Sequence, residues 1–241
     1  MTAAAPLRLY FIRHGETEWS MSGRHTGRTD IALTPRGEDN VRELGKTLQG
    51  TSFDHVFSSP RLRARRTSEL ADLGPAVQLE ADLAEWDYGD YEGRVTADIR
   101  LRDSDWNLYR DGCPDGEAPA QVLARADRLF ARLRGLDGNV ALFTHGQFSG
   151  VLAARWLRLA VVQGEHFPVG TASISILSYA LHHPDVPVIE QWNGTADANA
   201  RRATVRAEDE WILLGARRPA HAVSGRRPLH ILEASVTGVR R

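Results

Sequence analysis

Apolar positions along this chain fall into two rhythms, short continuous runs and longer stripes at helical spacing, and the two alternate. Leu7-Arg-Leu-Tyr-Phe-Ile12 opens as a strand, and Asn139-Val-Ala-Leu-Phe-Thr144 is a nearly unbroken apolar run of the kind a parallel strand shows when both its faces are buried. Asp54-His-Val-Phe-Ser58 makes a third strand between them. Helical patterns follow each strand. Thr34-Pro35 reads as an N-cap with proline at the first helical position, after which Val41, Leu44 and Leu48 recur on one face. Pro60 opens another helix, Val122, Ala126, Leu129, Phe130 and Leu133 draw an apolar stripe, and Gln147 to Leu159 reads as helix again. Strand then helix, repeated, predicts the α/β class: a three-layer α/β/α sandwich with a mainly parallel sheet. The later runs Ala172–Tyr179 and Val186–Trp192 alternate less cleanly and add antiparallel strand at an edge, with His182-His183-Pro184-Asp185 as their hairpin connection. After Asn193 the pattern breaks down, which sets one domain over 1–193 and a basic C-terminal extension over 194–241, a candidate for disorder.

Composition narrows the class. A chain of 241 residues with 42% hydrophobic and 25% charged residues reads as soluble and globular, which excludes collagen, coiled coil and wholesale disorder. No stretch approaches the ~20 consecutive apolar residues of a membrane helix. The segment Met1–Pro6 lacks the basic and apolar regions of a leader, so a cytoplasmic protein without a membrane partner is expected. Cys113 alone can form no internal disulfide, in keeping with a reducing compartment. The 30 bases and 31 acids are unevenly spread: residues 194–241 hold nine arginines against five acids, leaving the body mildly acidic. That body lacks the basic, aromatic-interleaved face of a nucleic-acid binder. The oligomeric state is open, a homodimer included.

The chemistry gathers where strands end. The first strand runs into Arg13-His14-Gly15-Glu16 and the strand at 139–144 into His145-Gly146-Gln147. In an open parallel sheet those ends share the edge where ligands bind. The strand at 54–58 leads through Ser59-Pro60 into a helix whose first turn carries Arg63. Two histidines and two arginines therefore converge on one pocket, beside helix N-termini that favour an anion. Such a pocket suits phosphate. A neutral imidazole is a competent nucleophile toward phosphorus, and guanidinium groups neutralise the phosphoryl oxygens as charge shifts, so phosphohistidine is the implied intermediate. A leaving alkoxide must be protonated, and Glu85, Asp87, Asp90 and Glu92 all stand in one Gly-punctuated stretch.

Four elements taken together, Arg13-His14-Gly15-Glu16-Thr17-Glu18-Trp19, Ser58-Ser59-Pro60 with Arg63-Ala64, Leu83-Ala84-Glu85 followed by Gly89 and Glu92-Gly93, and Thr144-His145-Gly146, resemble the histidine phosphatase superfamily, also called phosphoglycerate-mutase-like. The match runs in order over roughly residues 7–193. It implies that His14 is the phosphorylated nucleophile, that Arg13, Arg63 and His145 form the phosphate pocket, and that Glu85 is the acid/base. Ser20 stands where the family's mutases place Asn, as a shorter phosphate ligand; Thr26-Gly27 and Tyr88 match positions lining the mutase substrate site, and Gln147 falls at a further substrate contact. The segment from Trp19 to Asp30, with Glu85-Trp-Asp-Tyr-Gly, is most similar to the acid-phosphatase and sugar-bisphosphatase branches.

Other polar groups read more plainly. His25, His166 and the His182–His183 pair are expected at the surface or in structural roles, Arg61, Arg65 and Arg66 in surface ion pairs, and the stripe at 122–133 in the core. No metal-site spacing stands out, so neither metal nor other cofactor is expected. A phosphatase on small phosphomonoesters, a phosphoglycerate-type mutase and a non-catalytic phosphate-binding module all remain. A mutase must shield its phosphoenzyme from water, yet Glu85 and His145 are joined by a compact stretch with a Gly/Pro turn at Asp111–Gly116, which favours hydrolysis.

Overall fold

The structure, a computed structural model, describes residues 6–196. Its strands are β1 (Arg8–Arg13), β2 (His55–Ser58), β3 (Gln78–Leu79), β4 (Asn139–Thr144), β5 (Ile174–Ala180) and β6 (His183–Gly194). The α-helices are α1 (Glu18–Ser22), α2 (Pro35–Leu48), α3 (Leu62–Ala71), α4 (Thr96–Arg100), α5 (Leu108–Asp111), α6 (Pro119–Leu133) and α7 (Gly146–Trp156). One sheet forms in the order β3-β2-β4-β1-β5-β6. The first four of these run parallel, while β5 is antiparallel to β1, and β6 to β5. The expected antiparallel edge is therefore a whole hairpin. Its turn is Leu181-His182, since Ala180 already pairs with His183, so His183, Pro184 and Asp185 belong to the strand rather than to the connection. Prolines 184 and 187 are tolerated because β6 is the outermost strand.

The alternation of side chains along β1 and β4 explains why these strands read as unbroken apolar runs. Leu9, Phe11, Val140 and Leu142 face one way and join Val122, Leu129, Phe130 and Phe148 of α6 and α7. Tyr10, Ile12, Ala141 and Phe143 face the other way and join Val41, Leu44 and Leu48 of α2 and Ala71 of α3. Each fully buried Leu or Phe contributes about 1.5–3 kcal/mol. Two helical layers on a central sheet make the three-layer sandwich. No α-helix among the described residues is long and apolar enough to cross a membrane. Most of the expected 194–241 extension lies outside the described residues.

Local capping ties the helices to the strand ends. Thr34 Oγ1 accepts from Gly37 N–H at 2.9 Å, with Pro35 next in line, as the sequence predicts. The start of α2 sits so close to the loop after β1 that a Cβ on Gly37 would stand 2.3 Å from the Glu16 carbonyl. Only glycine allows this approach, and it fixes the loop that carries His14.

Candidate active site

The parallel strands end in register, with Arg13 opposite Thr144 and Ser58 opposite Phe143, so the residues that follow, His14, Ser59 and His145, are neighbours. The His14 backbone is held on both sides. Its N–H donates to Thr144 O and its carbonyl accepts from Ala172 N–H, each at 3.1 Å. Both histidine rings are buried, with centroids 5.2 Å apart. Burial, then the charges of Arg63 and Arg13, hold the His14 pKa well below 6.5, so the ring is neutral near pH 7. A carbonyl can only accept, so the 2.8 Å contact between His14 Nδ1 and Gly15 O places the single ring proton on Nδ1. Nε2 keeps its lone pair.

His145 is neutral for the same reasons, burial first and then the Arg63 charge. Its Nε2 lies 2.8 Å from Ser59 Oγ, which also accepts from Arg61 N–H at 3.3 Å. With the Ser59 proton turned to His145 Nε2, the ring proton sits on Nδ1, a buried group with no partner. Arg63, 0% exposed, donates to the carbonyls of Thr29, Thr26 and Gly27 at 3.1, 2.7 and 3.3 Å, while its Nε is unpartnered. Arg13 donates to Val169 O at 2.5 Å and likewise leaves its Nε buried and unpartnered. A fourth such atom, Arg61 Nε, belongs to the residue whose guanidinium donates to Arg28 O. Unsatisfied buried donors are rare in folded proteins, and three of these four sit on the groups that crowd His14. They form a ready receptor for anionic oxygens.

His14 and Arg13 border a cavity of about 400 Å³ lined also by Glu85, Tyr88, Tyr109 and Gln147, among others; Arg63 and His145 are fully buried and do not border it. Of the four candidate acids, Glu85 is the one at the cavity. Its carboxylate accepts from Trp86, Gln147 and Phe148 N–H at 2.9, 3.0 and 2.8 Å, which moors it to the first turn of α7. Asp87 pairs instead with Arg28 and accepts from Gly89 N–H, and Glu92 accepts from Gly27 and Thr29 N–H, shaping the loop that solvates Arg63. Gly27 stands in that loop and not at the cavity wall. Tyr88 is buried and held neutral by desolvation. Ser20 and Thr26 do border the cavity, yet their hydroxyls donate to Thr17 O and Arg24 O, so neither proton is free for a ligand.

His25, expected at the surface or in a structural role, takes a structural one. It is buried, borders the cavity and stacks on Tyr88 at 4.6 Å, and burial lowers its pKa to about 4. Arg66 forms the expected ion pairs, with Glu38 and Glu69. Five contributors escaped the sequence reading: Ser59, Arg24, Tyr109, Glu165 and Arg125. Ser59 lay inside a quoted motif without a role. Arg125 interrupts the apolar stripe of α6; it donates to Asp82 O and Ala84 O at 2.9 and 2.6 Å and pairs with Glu117, bracing the segment that carries Glu85. Among the described residues no cluster of three or more His, Cys, Asp or Glu side chains could hold a metal ion.

A family model described as the histidine phosphatase superfamily (branch 1) matches residues 9–195. The chain is 42% identical to an acid phosphatase of Mycobacterium tuberculosis, over 71% of this chain and 86% of that one. It is 33% identical to sedoheptulose 1,7-bisphosphatase of Saccharomyces cerevisiae, over 76% and 91%. The solved structure of a Mycobacterium tuberculosis open reading frame superposes with a TM-score of 0.74 at 38% identity, covering 78% of this chain and 98% of its own.

Proposed function

The chain belongs to branch 1 of the histidine phosphatase superfamily, and on that premise we propose that it hydrolyses small phosphomonoesters through a phosphohistidine on His14. The observation that carries this reading is the pairing of a neutral His14 whose Nε2 lone pair is free with the buried, unpartnered donors Arg13 Nε, Arg63 Nε and His145 Nδ1 around it. In the first step Nε2 attacks phosphorus and the P–O bond to the alcohol breaks. Glu85, protonated, gives its proton to the leaving oxygen. Arg13, Arg63 and His145 hold the phosphoryl oxygens as charge moves onto them. In the second step Glu85, now a carboxylate, takes a proton from water, the water oxygen attacks phosphorus, the P–N bond breaks, and inorganic phosphate leaves. His14 keeps its Nδ1 proton on Gly15 O throughout.

The acid-phosphatase and bisphosphatase names of the relatives support hydrolysis of small phosphorylated compounds, and a cytoplasmic setting fits such substrates. The test is a panel of sugar phosphates, sugar bisphosphates, phosphoglycerates and p-nitrophenyl phosphate, assayed for inorganic phosphate and for phosphoglycerate interconversion, with and without EDTA. Phosphate release that survives EDTA is expected, because arginines supply the positive charge. Interconversion without release, or a rate that collapses with chelator and returns with Mg²⁺ or Zn²⁺, overturns the reading.

A further inference from the structure

The reaction above asks one thing of the backbone: Gly15 O must stay on His14 Nδ1, because only then is Nε2 bare. That carbonyl belongs to a residue with no stiffness of its own. A Cβ on Gly15 would stand 2.8 Å from both Gly37 O and Val41 Cγ2, so the close approach of α2 demands glycine here, and glycine turns more freely than any other residue. Something else must hold the loop.

The peptide unit that joins His14 to Gly15 is gripped at both ends. Its oxygen, His14 O, accepts from Ala172 N–H at 3.1 Å, and its N–H, on Gly15, donates to Thr67 Oγ1 at 3.0 Å. Ala172 holds its end from a left-handed backbone, φ 49°, a conformation unfavourable for alanine that persists only where the surroundings enforce it. Thr67 lies in α3 and is 0% exposed. Its one hydroxyl proton goes to Arg63 O, a turn back along the helix, at 2.7 Å. Both directions are fixed, since a backbone N–H can only donate and a carbonyl can only accept. A threonine hydroxyl in mid-helix often bonds the carbonyl four residues back. This one takes a second bond from a backbone 52 residues away, and so joins the loop of the nucleophile to the helix that carries Arg63.

We propose that Thr67 is a positioning residue for the nucleophile: its hydroxyl locks the peptide after His14, which keeps Gly15 O on Nδ1 and leaves Nε2 bare and in register with Arg63. This rests on the phosphatase reading for its effect on rate, whereas the tautomer is a property of the resting protein.

The experiment compares wild type, Thr67→Val, Thr67→Ala and Thr67→Ser by imidazole ¹⁵N shifts without substrate, by kcat/KM on p-nitrophenyl phosphate, by inhibition with inorganic phosphate and by thermal melts. Valine keeps the shape of threonine and leaves Gly15 N–H buried without an acceptor. Thr67→Val should lower kcat/KM about tenfold, the size of one buried hydrogen bond, with the inhibition constant of phosphate within about twofold of wild type. Its His14 signal should pass from Nδ1–H alone to a mixture in which Nε2–H appears. Thr67→Ser, which restores the hydroxyl, should keep the wild-type tautomer and a rate within about twofold. Thr67→Ala lacks the hydroxyl and opens room for water, so it carries the same expectation of a mixed tautomer and a slower rate should Thr67→Val fail to fold. An unchanged His14 tautomer in the variants without the hydroxyl overturns the proposal. So does a Thr67→Ser variant as slow as Thr67→Val, which would assign the effect to packing, or a weakening of phosphate binding that accounts for the whole loss. A wild type that hydrolyses no phosphomonoester takes down the phosphatase reading, and the ¹⁵N shifts still decide for or against Thr67.

Discussion

A histidine can act as nucleophile or as hydrogen-bond donor according to where its one neutral-state proton sits, and here two oxygen atoms decide it for two rings. Gly15 O fixes His14 with Nε2 bare, and the Ser59 hydroxyl, donating to Nε2, sets His145 with Nδ1 protonated. Replacing Ser59 with Ala should free the His145 tautomer and lower kcat about tenfold, the worth of one buried hydrogen bond. Imidazole ¹⁵N shifts measure the tautomer directly; an unchanged Nδ1–H population with an unchanged rate would refute this role. His14, His145 and Arg13 were legible in the sequence because each sits at the end of an apolar run. Ser59, His25 and Tyr109 were not, since their roles come from contacts 86, 71 and 38 residues away in sequence. No local pattern records such distances.

At the level of elements, legibility followed burial. β1 and β4, covered on both faces, announce themselves as apolar runs, whereas β3 is two exposed residues at the sheet edge and leaves no trace in the pattern. The stripe of α6 was read correctly as core, but Arg125 within it braces the Glu85 segment across the helix–loop boundary. Arg125→Met would strand Glu117 beside the core. About 3 kcal/mol of stability should be lost, the low end for breaking a buried pair because Glu117 keeps 20% of its side chain in water. Activity should fall further than stability alone explains. Lys46→Met is the control: in its pair with Glu43 both side chains are more than half exposed, and little or no loss of stability is expected. Urea midpoints of the two variants settle the comparison, and equal losses would contradict the bracing role.

At the scale of the whole fold, three buried histidines among the described residues couple folding to pH. His14, His25 and His145 all have lowered pKa values in the folded state, so the unfolded chain binds protons first as the pH falls. Their contribution to stability is whole above about pH 6.5 and is lost progressively toward the folded-state values. His25, at about 4, should alone account for about 2 kcal/mol of the loss between pH 8 and pH 5. Denaturant midpoints across that range should therefore fall steeply for wild type and less so for His25→Phe, which keeps a ring on Tyr88; parallel curves would show that His25 does not titrate as described. The most direct test of the chemistry is to trap the intermediate. Wild-type enzyme mixed with ³²P-labelled substrate and quenched in base within milliseconds should carry label on the peptide containing His14, stable to alkali and lost in acid, while His14→Ala melts like wild type, takes up no label and releases no phosphate. Turnover by His14→Ala, or label on any residue other than His14, would contradict the mechanism.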